Sequence, residues 1–165
     1  MPSATAARLA ESIRATIKEL RAACAEVDEA AAGRAPEGRW TPREILSHLA
    51  GPEGPGLVAM FRRLLDEDEP RIDLVPEQTY MTGERSAMPF ALLVDKAAQK
   101  YEAVARFAEE RSEEQLARTA HVPVLAKSPM GERPSLAALL GGFGQYHVAM
   151  HIAHLRDVLA GKPAA

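Results

Sequence analysis

Leu9, Ile13, Ile17, Leu20, Cys24 and Val27 recur at steps of three and four residues, the spacing that gathers apolar side chains onto one stripe of an α-helix. The same spacing returns in Phe90, Leu93, Val94, Ala97, Tyr101, Val104 and Phe107. It returns again in Leu136, Leu139, Leu140, Phe143, Tyr146, Met150, Leu155 and Leu159. A helix with a single apolar stripe is stable only when that stripe is covered, and helices of similar length cover one another. The pattern therefore predicts an all-α fold, a four-helix bundle. At 165 residues the chain fits a single domain spanning 1–165 with one core.

Punctuation residues place the helix ends. Gly33, Pro36 and Gly38 end the first helix. In Trp40-Thr41-Pro42-Arg43-Glu44, Thr41 caps the free amides, Pro42 suits the first helical position and Glu44 completes a capping box. The second helix starts there. The Gly51–Gly56 segment puts two prolines and three glycines into six residues, so a break or sharp kink is expected before helix resumes over Leu57–Leu65. After the acidic run Asp66–Glu69 and Pro70, about twenty residues lack periodicity and read as a crossover along the bundle. A third helix runs from about Pro89 to near Arg111, and Ser112–Leu116 forms one further turn. Ser135 caps the last helix, which reads through to Gly161, with Gly141, Gly142 and Gly144 as close-packing positions rather than a bend.

Composition excludes several classes. With a net charge of -3 and no basic cluster beyond Arg62-Arg63, the chain lacks the patch that displaces counterions from nucleic acid. No apolar run approaches the roughly 20 residues that span a bilayer. Arg8, Glu11 and Arg14 interrupt the first stretch, which removes a secretory signal core. The single Cys24 forms no internal disulfide and falls on the apolar stripe, so it is read as packing in a cytoplasmic protein.

Three of the five histidines lie in His147-Val148-Ala149-Met150-His151-Ile152-Ala153-His154. At the helical pitch His151 stands about 40° and His154 about 20° from His147 around the axis, so all three share a face. Their neighbours are apolar, and a buried imidazole needs a partner, which a metal ion supplies. His48 follows the Thr41 cap on the second helix. Histidines at i and i+4 on one helix with a third from a neighbour assemble a three-nitrogen site in a bundle core and leave coordination positions open. Val148, rather than Glu, follows His147, which excludes the zinc-protease motif. His121 lies in an irregular stretch and is expected at the surface.

The run Trp40-Thr41-Pro42-Arg43-Glu44-Ile45-Leu46-Ser47-His48-Leu49-Ala50 resembles the opening of the second helix in the DinB-like superfamily, which includes the low-molecular-weight-thiol-dependent transferases and isomerases. The HxxxH of His147 and His151 matches that superfamily's second signature, and the resemblance covers essentially the whole chain. It implies an up-down-down-up bundle with long crossover connections, one divalent ion, zinc or nickel, and a homodimer. Carried across, the ligands are His48, His147 and His151, while His154 stands where many members have glutamine and is expected in the pocket beside the ion. The implied activity is that of a thiol-dependent metalloenzyme, an S-transferase or isomerase, with a small thiol and an electrophile as partners. The alternative is a non-catalytic protein in which the ion fastens the second helix to the fourth. The Pro52–Pro55 segment departs from the continuous helix common in the family. No carboxylate falls in register with the ligands, because Glu44 is committed to its cap, so no catalytic base is assigned.

Overall fold

The structure is a computed structural model describing residues 1–165. Helix α1 (Ala4–Cys24) starts where the Ser3 side chain accepts the Ala6 amide at 3.0 Å and buries Ala6, Ala10, Ile13, Ile17, Leu20 and Cys24. Burial pushes the Cys24 thiol up to about 12, so it packs and does not react. A single turn, α2 (Glu29–Ala32), leads to α3 (Pro42–Ala50), whose capping box forms as expected: Thr41 accepts from the Glu44 amide at 3.1 Å and Glu44 accepts from the Thr41 amide at 2.8 Å. Helix stops at Gly51 and resumes as α4 (Gly56–Asp66), the predicted break. The short α5 (Gly83–Ala87) sits in the crossover and precedes α6 (Phe90–Glu109). A turn, α7 (Glu113–Leu116), with a Ser112/Gln115 capping box, leads on toward α8 (Leu136–Gly141) and α9 (His147–Leu159). There is no sheet, only two isolated bridges that fasten loops together, Arg71 with His121 and Thr119 with Ser135.

Side-chain partners fix the direction of each helix. Arg14 of α1 pairs with Glu102 and Glu109 of α6, and Arg21 further along α1 pairs with Asp95 earlier in α6, so these two run antiparallel. Gly144 abuts Ile13, and Arg156 pairs with Glu19, so α9 runs parallel to α1. His48 meets His147, while Trp40 meets His151 and His154, which makes α3 antiparallel to α9. The order is up-down-down-up, with α3 and α4 together forming the second member. Because that member and α6 both point down, the connection between them must return along the bundle, and residues 67–89 do so.

The last helix differs from the sequence reading. A π-helical turn over Gly142–Tyr146 separates α8 from α9, so the glycines mark a change of helical register as well as close packing. A π turn takes one more residue than an α turn, which rotates everything beyond it by about 100°. The expected stripe continued the α8 phase through Tyr146 and Met150, and both are exposed, at 75% and 50%. The buried residues of α9 are Val148, His151, Ile152, Leu155 and Val158.

Gly144 is where this turn presses on α1, since a Cβ there would lie 2.8 Å from Ile13 Cδ1 and 2.9 Å from Ile13 Cγ1. Gly144→Ala is expected to cost about 1–3 kcal/mol through overpacking. A Cβ at Gly83 meets nothing within 4 Å, so Gly83→Ala should stay within about 0.5 kcal/mol of the parent. Urea midpoints of the two variants check the contrast, and equal midpoints would refute the close-packing role.

Candidate metal centre

Helix α3 delivers His48 three residues before its glycine stop, and α9 delivers His147 and His151 one turn apart, so the antiparallel helices point three imidazoles at one another. One ring nitrogen from each lies within 4.8 Å of the others. Ring centroids are 4.6 Å apart for His48–His151, 4.6 Å for His147–His151 and 5.1 Å for His48–His147. His48 Nδ1 stands 2.5 Å from the Gln78 carbonyl, and His48 Nε2 stands 3.1 Å from His147 Nε2. A carbonyl only accepts, so His48 Nδ1 carries the proton and its Nε2 presents a lone pair to His147. Two nitrogens on one zinc-sized ion at tetrahedral angle are about 3.3 Å apart, close to the spacing seen.

The crossover supplies what holds His48. Glu77 and Tyr80, on either side of the Gln78-Thr79 pair, both have positive φ, 58° and 54°, a conformation that non-glycine residues adopt at a cost of about 1–3 kcal/mol. The strain aims the Gln78 carbonyl at His48 and lays the Tyr80 ring over the imidazole, with centroids 6.3 Å apart and planes 13° from parallel. Arg85, only 3% exposed, anchors the strap. It donates to Ser47 O at 3.0 Å, Ser47 Oγ at 3.1 Å, Tyr80 O at 3.3 Å and Glu53 Oε1 at 3.1 Å.

Burial lowers His147 to about 4 and His151 to about 3, with the charges of neighbouring histidines adding to the effect and Lys100 contributing at His147. His48 is lowered as well, chiefly by burial. Both α9 imidazoles are therefore neutral at pH 7, the form that binds metal. His147 Nδ1 and His151 Nδ1 are buried without a hydrogen-bond partner. The facing Nε2 atoms of His48 and His147, with His151 beside them, leave a position among the three rings that a cation fits. The donor set fits a divalent ion. The structure places the expected ligands together and leaves His154 outside the group, its ring 5.7 Å from that of His151 and 6.1 Å from that of Trp40. His121 is remote, facing Glu132 at 3.7 Å. No carboxylate joins the three histidines.

The triad opens onto a cavity of about 1090 Å³ walled by Trp40, Leu57, Met60, Tyr80, Phe143 and Met150, and His154 and Lys100 also line it. Trp40 lies parallel to His151, with planes 8° apart and centroids separated by 6.2 Å. Sequence reasoning assigned no role to Trp40, Tyr80, Gln78 or Lys100. Trp40 stands inside the quoted helix-opening run and could have been found there; the others are set by tertiary contacts.

A helical bundle with three converging histidines beside an open cavity has the geometry to hold a metal ion. The chain belongs to the DinB superfamily, whose family model matches residues 12–155. Among solved structures it is similar to YfiT from Bacillus subtilis, described as "a probable metal-dependent hydrolase with an unusual four-helix bundle topology". The TM-score is 0.74 at 18% identity, over 93% of this chain and 84% of that one. At that identity the likeness is one of fold. No curated protein matches the chain.

Two outcomes follow. His147→Ala should lose its bound ion on dialysis, whereas His154→Gln should retain it, as read by metal analysis of protein prepared without a histidine tag. Full retention by His147→Ala would show that the ion sits elsewhere. The second concerns the metal-free protein. Folded-state values of about 4 and 3 for His147 and His151 lie below the unfolded value near 6.5. The unfolded chain thus binds more protons in that window, and stability falls as the pH drops from about 6.5 through 4. In chelator, the urea midpoint should be lower at pH 5 than at pH 7; an unchanged midpoint would contradict the burial of neutral imidazoles.

Proposed function

We propose that this protein is a metal-dependent enzyme in which His48, His147 and His151 hold one divalent ion, zinc or nickel, and a small thiol is added to an electrophile or isomerises it through an adduct. The observation that carries the reading is the convergence of three ring nitrogens on a wide cavity with no fourth protein donor. Structural zinc sites are closed by four protein ligands, whereas catalytic ones keep a position for substrate or water. When bound, the ion supplies charge that stabilises an anionic nucleophile at neutral pH.

The protein's own groups do the rest. Three neutral imidazoles leave the charge of the ion uncompensated, which favours an anionic partner over a neutral one. Gln78 fixes the tautomer of His48, and Trp40 and Tyr80 shield two of the rings from water. A cavity of about 1090 Å³ is at the upper end for one small ligand and accommodates a thiol and an electrophile side by side. His154 lines the cavity at the edge of the triad, its ring 5.7 Å from that of His151, which supports a contact with whatever enters. With Cys24 buried in the core, the protein offers no nucleophilic thiol of its own, so the thiol comes from solution, as suits a cytoplasmic enzyme.

Hydrolysis is the second reading, favoured by the fold shared with YfiT, which is described as a probable metal-dependent hydrolase. It uses the same open position with water in place of the thiol. Cobalt-substituted protein separates the two: titration with 2-mercaptoethanol should give a saturable sulfur-to-metal absorption band at one equivalent per site. No band at any thiol concentration, with cobalt retained, would sink the thiol reading and leave the hydrolytic one.

A further inference from the structure

Lys100 is half-buried in the wall of the cavity, on α6, and its side chain makes no hydrogen bond or ion pair within the fold. Its ammonium lies 5.6 Å from the centre of the Tyr101 ring and fills the space beside Gly51, where a Cβ would come within 2.3 Å of Nζ. Gly51 has φ 72° and ψ -175°, a region essentially closed to other residues. The glycine that ends the His48 helix therefore also makes room for a charge.

The neighbouring charges do not neutralise it. Glu53 is taken by Arg85 at 3.1 Å and Lys96 at 3.7 Å, so this corner has three cations and one carboxylate. Of the other charged groups lining the cavity, Asp73 pairs with Arg71 at 3.2 Å, and Arg39 donates to the carbonyls of Lys162 and Pro163. Glu77 is exposed to solvent at the mouth. Burial, and then the charge of Arg85, lowers Lys100 to about 8, so it remains charged at pH 7. An ammonium held in a partly dry wall without a counter-ion is costly unless something anionic comes to it.

We propose that Lys100 is the anion anchor of this cavity and that the substrate class of the site is small carboxylates, the carboxylate resting on the Lys100 ammonium while the rest of the molecule lies toward the histidines. The inference rests on the reading of the triad cavity as a substrate site, but it concerns a different group and has its own measurement. The reacting end of the substrate is positioned from its far end, which is how binding energy away from the chemistry orients a reaction.

The test uses the metal-free protein, so that no carboxylate can bind an ion. Butyrate and its neutral isostere butyramide are titrated separately at constant ionic strength, and the Gly51 amide and Trp40 indole resonances are followed by NMR. Butyrate should bind about tenfold more tightly than butyramide, the usual worth of a charge-assisted hydrogen bond. Lys100→Gln should remove the preference and leave butyramide unchanged, while Lys100→Arg should keep part of it. Equal binding of the two probes by the parent protein, or a preference that survives Lys100→Gln, overturns the proposal. The cobalt titration with 2-mercaptoethanol reads the metal chemistry independently, so failure of one reading is distinguishable from failure of the other.

Discussion

The site depends on two consecutive members of the bundle, α3–α4 and α6, running in the same direction. Neighbouring helices that alternate need only short turns, whereas two parallel ones oblige the chain to travel back along the bundle between them. That return is residues 67–89, and its path lays Gln78 and Tyr80 against His48. A simple up-down-up-down bundle would have no strap at this position, and His48 would lack the carbonyl that fixes its tautomer. Arg85, buried and shared between Ser47, Tyr80 and Glu53, makes the strap part of the core. The topology thus creates the loop, the loop orients the imidazole, and the imidazole closes the triad.

Electrostatics then sets the character of the pocket. The same burial that drains charge from His147 and His151 leaves Lys100 as the cation facing the cavity without a partner. Histidine can shed its proton at modest cost near neutral pH, whereas lysine must be desolvated much more deeply before it does so. One wall of the cavity therefore carries neutral nitrogen donors and another carries a fixed positive charge. Such a division suits a ligand with a nucleophilic or metal-seeking end and an anionic end.

Much of this was legible in the sequence, and the exceptions have physical causes. The start of α3 was readable because a capping box is local chemistry, written in Thr41 to Glu44. The break at Gly51–Gly56 was readable because proline removes donors wherever it stands. His48, His147 and His151 emerged from spacing together with family resemblance. The turns α2 and α5 were missed because four or five residues are too few to show a period, although Asp28 and Thr82 cap them. The Gln78 contact is made by a backbone carbonyl, for which side-chain identity carries no signal. Lys100 reads as one more polar residue on the α6 surface until Gly51, forty-nine positions earlier, is known to face it.

The phase of the last helix is the instance where sequence did carry the information and a continuous α-helix was the wrong ruler for it. At about 100° per residue, Leu136, Leu139 and Leu140 centre one apolar stripe, and Val148, Ile152 and Leu155 centre another turned by about one residue. No unbroken α-helix can bury both. A π turn, with its i to i+5 bonding, absorbs the extra residue, and Gly142 and Gly144 let it pass close to Met130 and Ile13. The consequence reaches the histidine triad. Measured against the α8 stripe, His147, His151 and His154 would all point into the centre of the bundle, where three imidazoles would have no access to the cavity. Measured against the rotated α9 stripe, His151 remains at the edge of the core, 7% exposed, while His147 and His154 swing toward the cavity. The π turn thus converts a row of core histidines into the floor of an open site, which is why the register change falls immediately before His147.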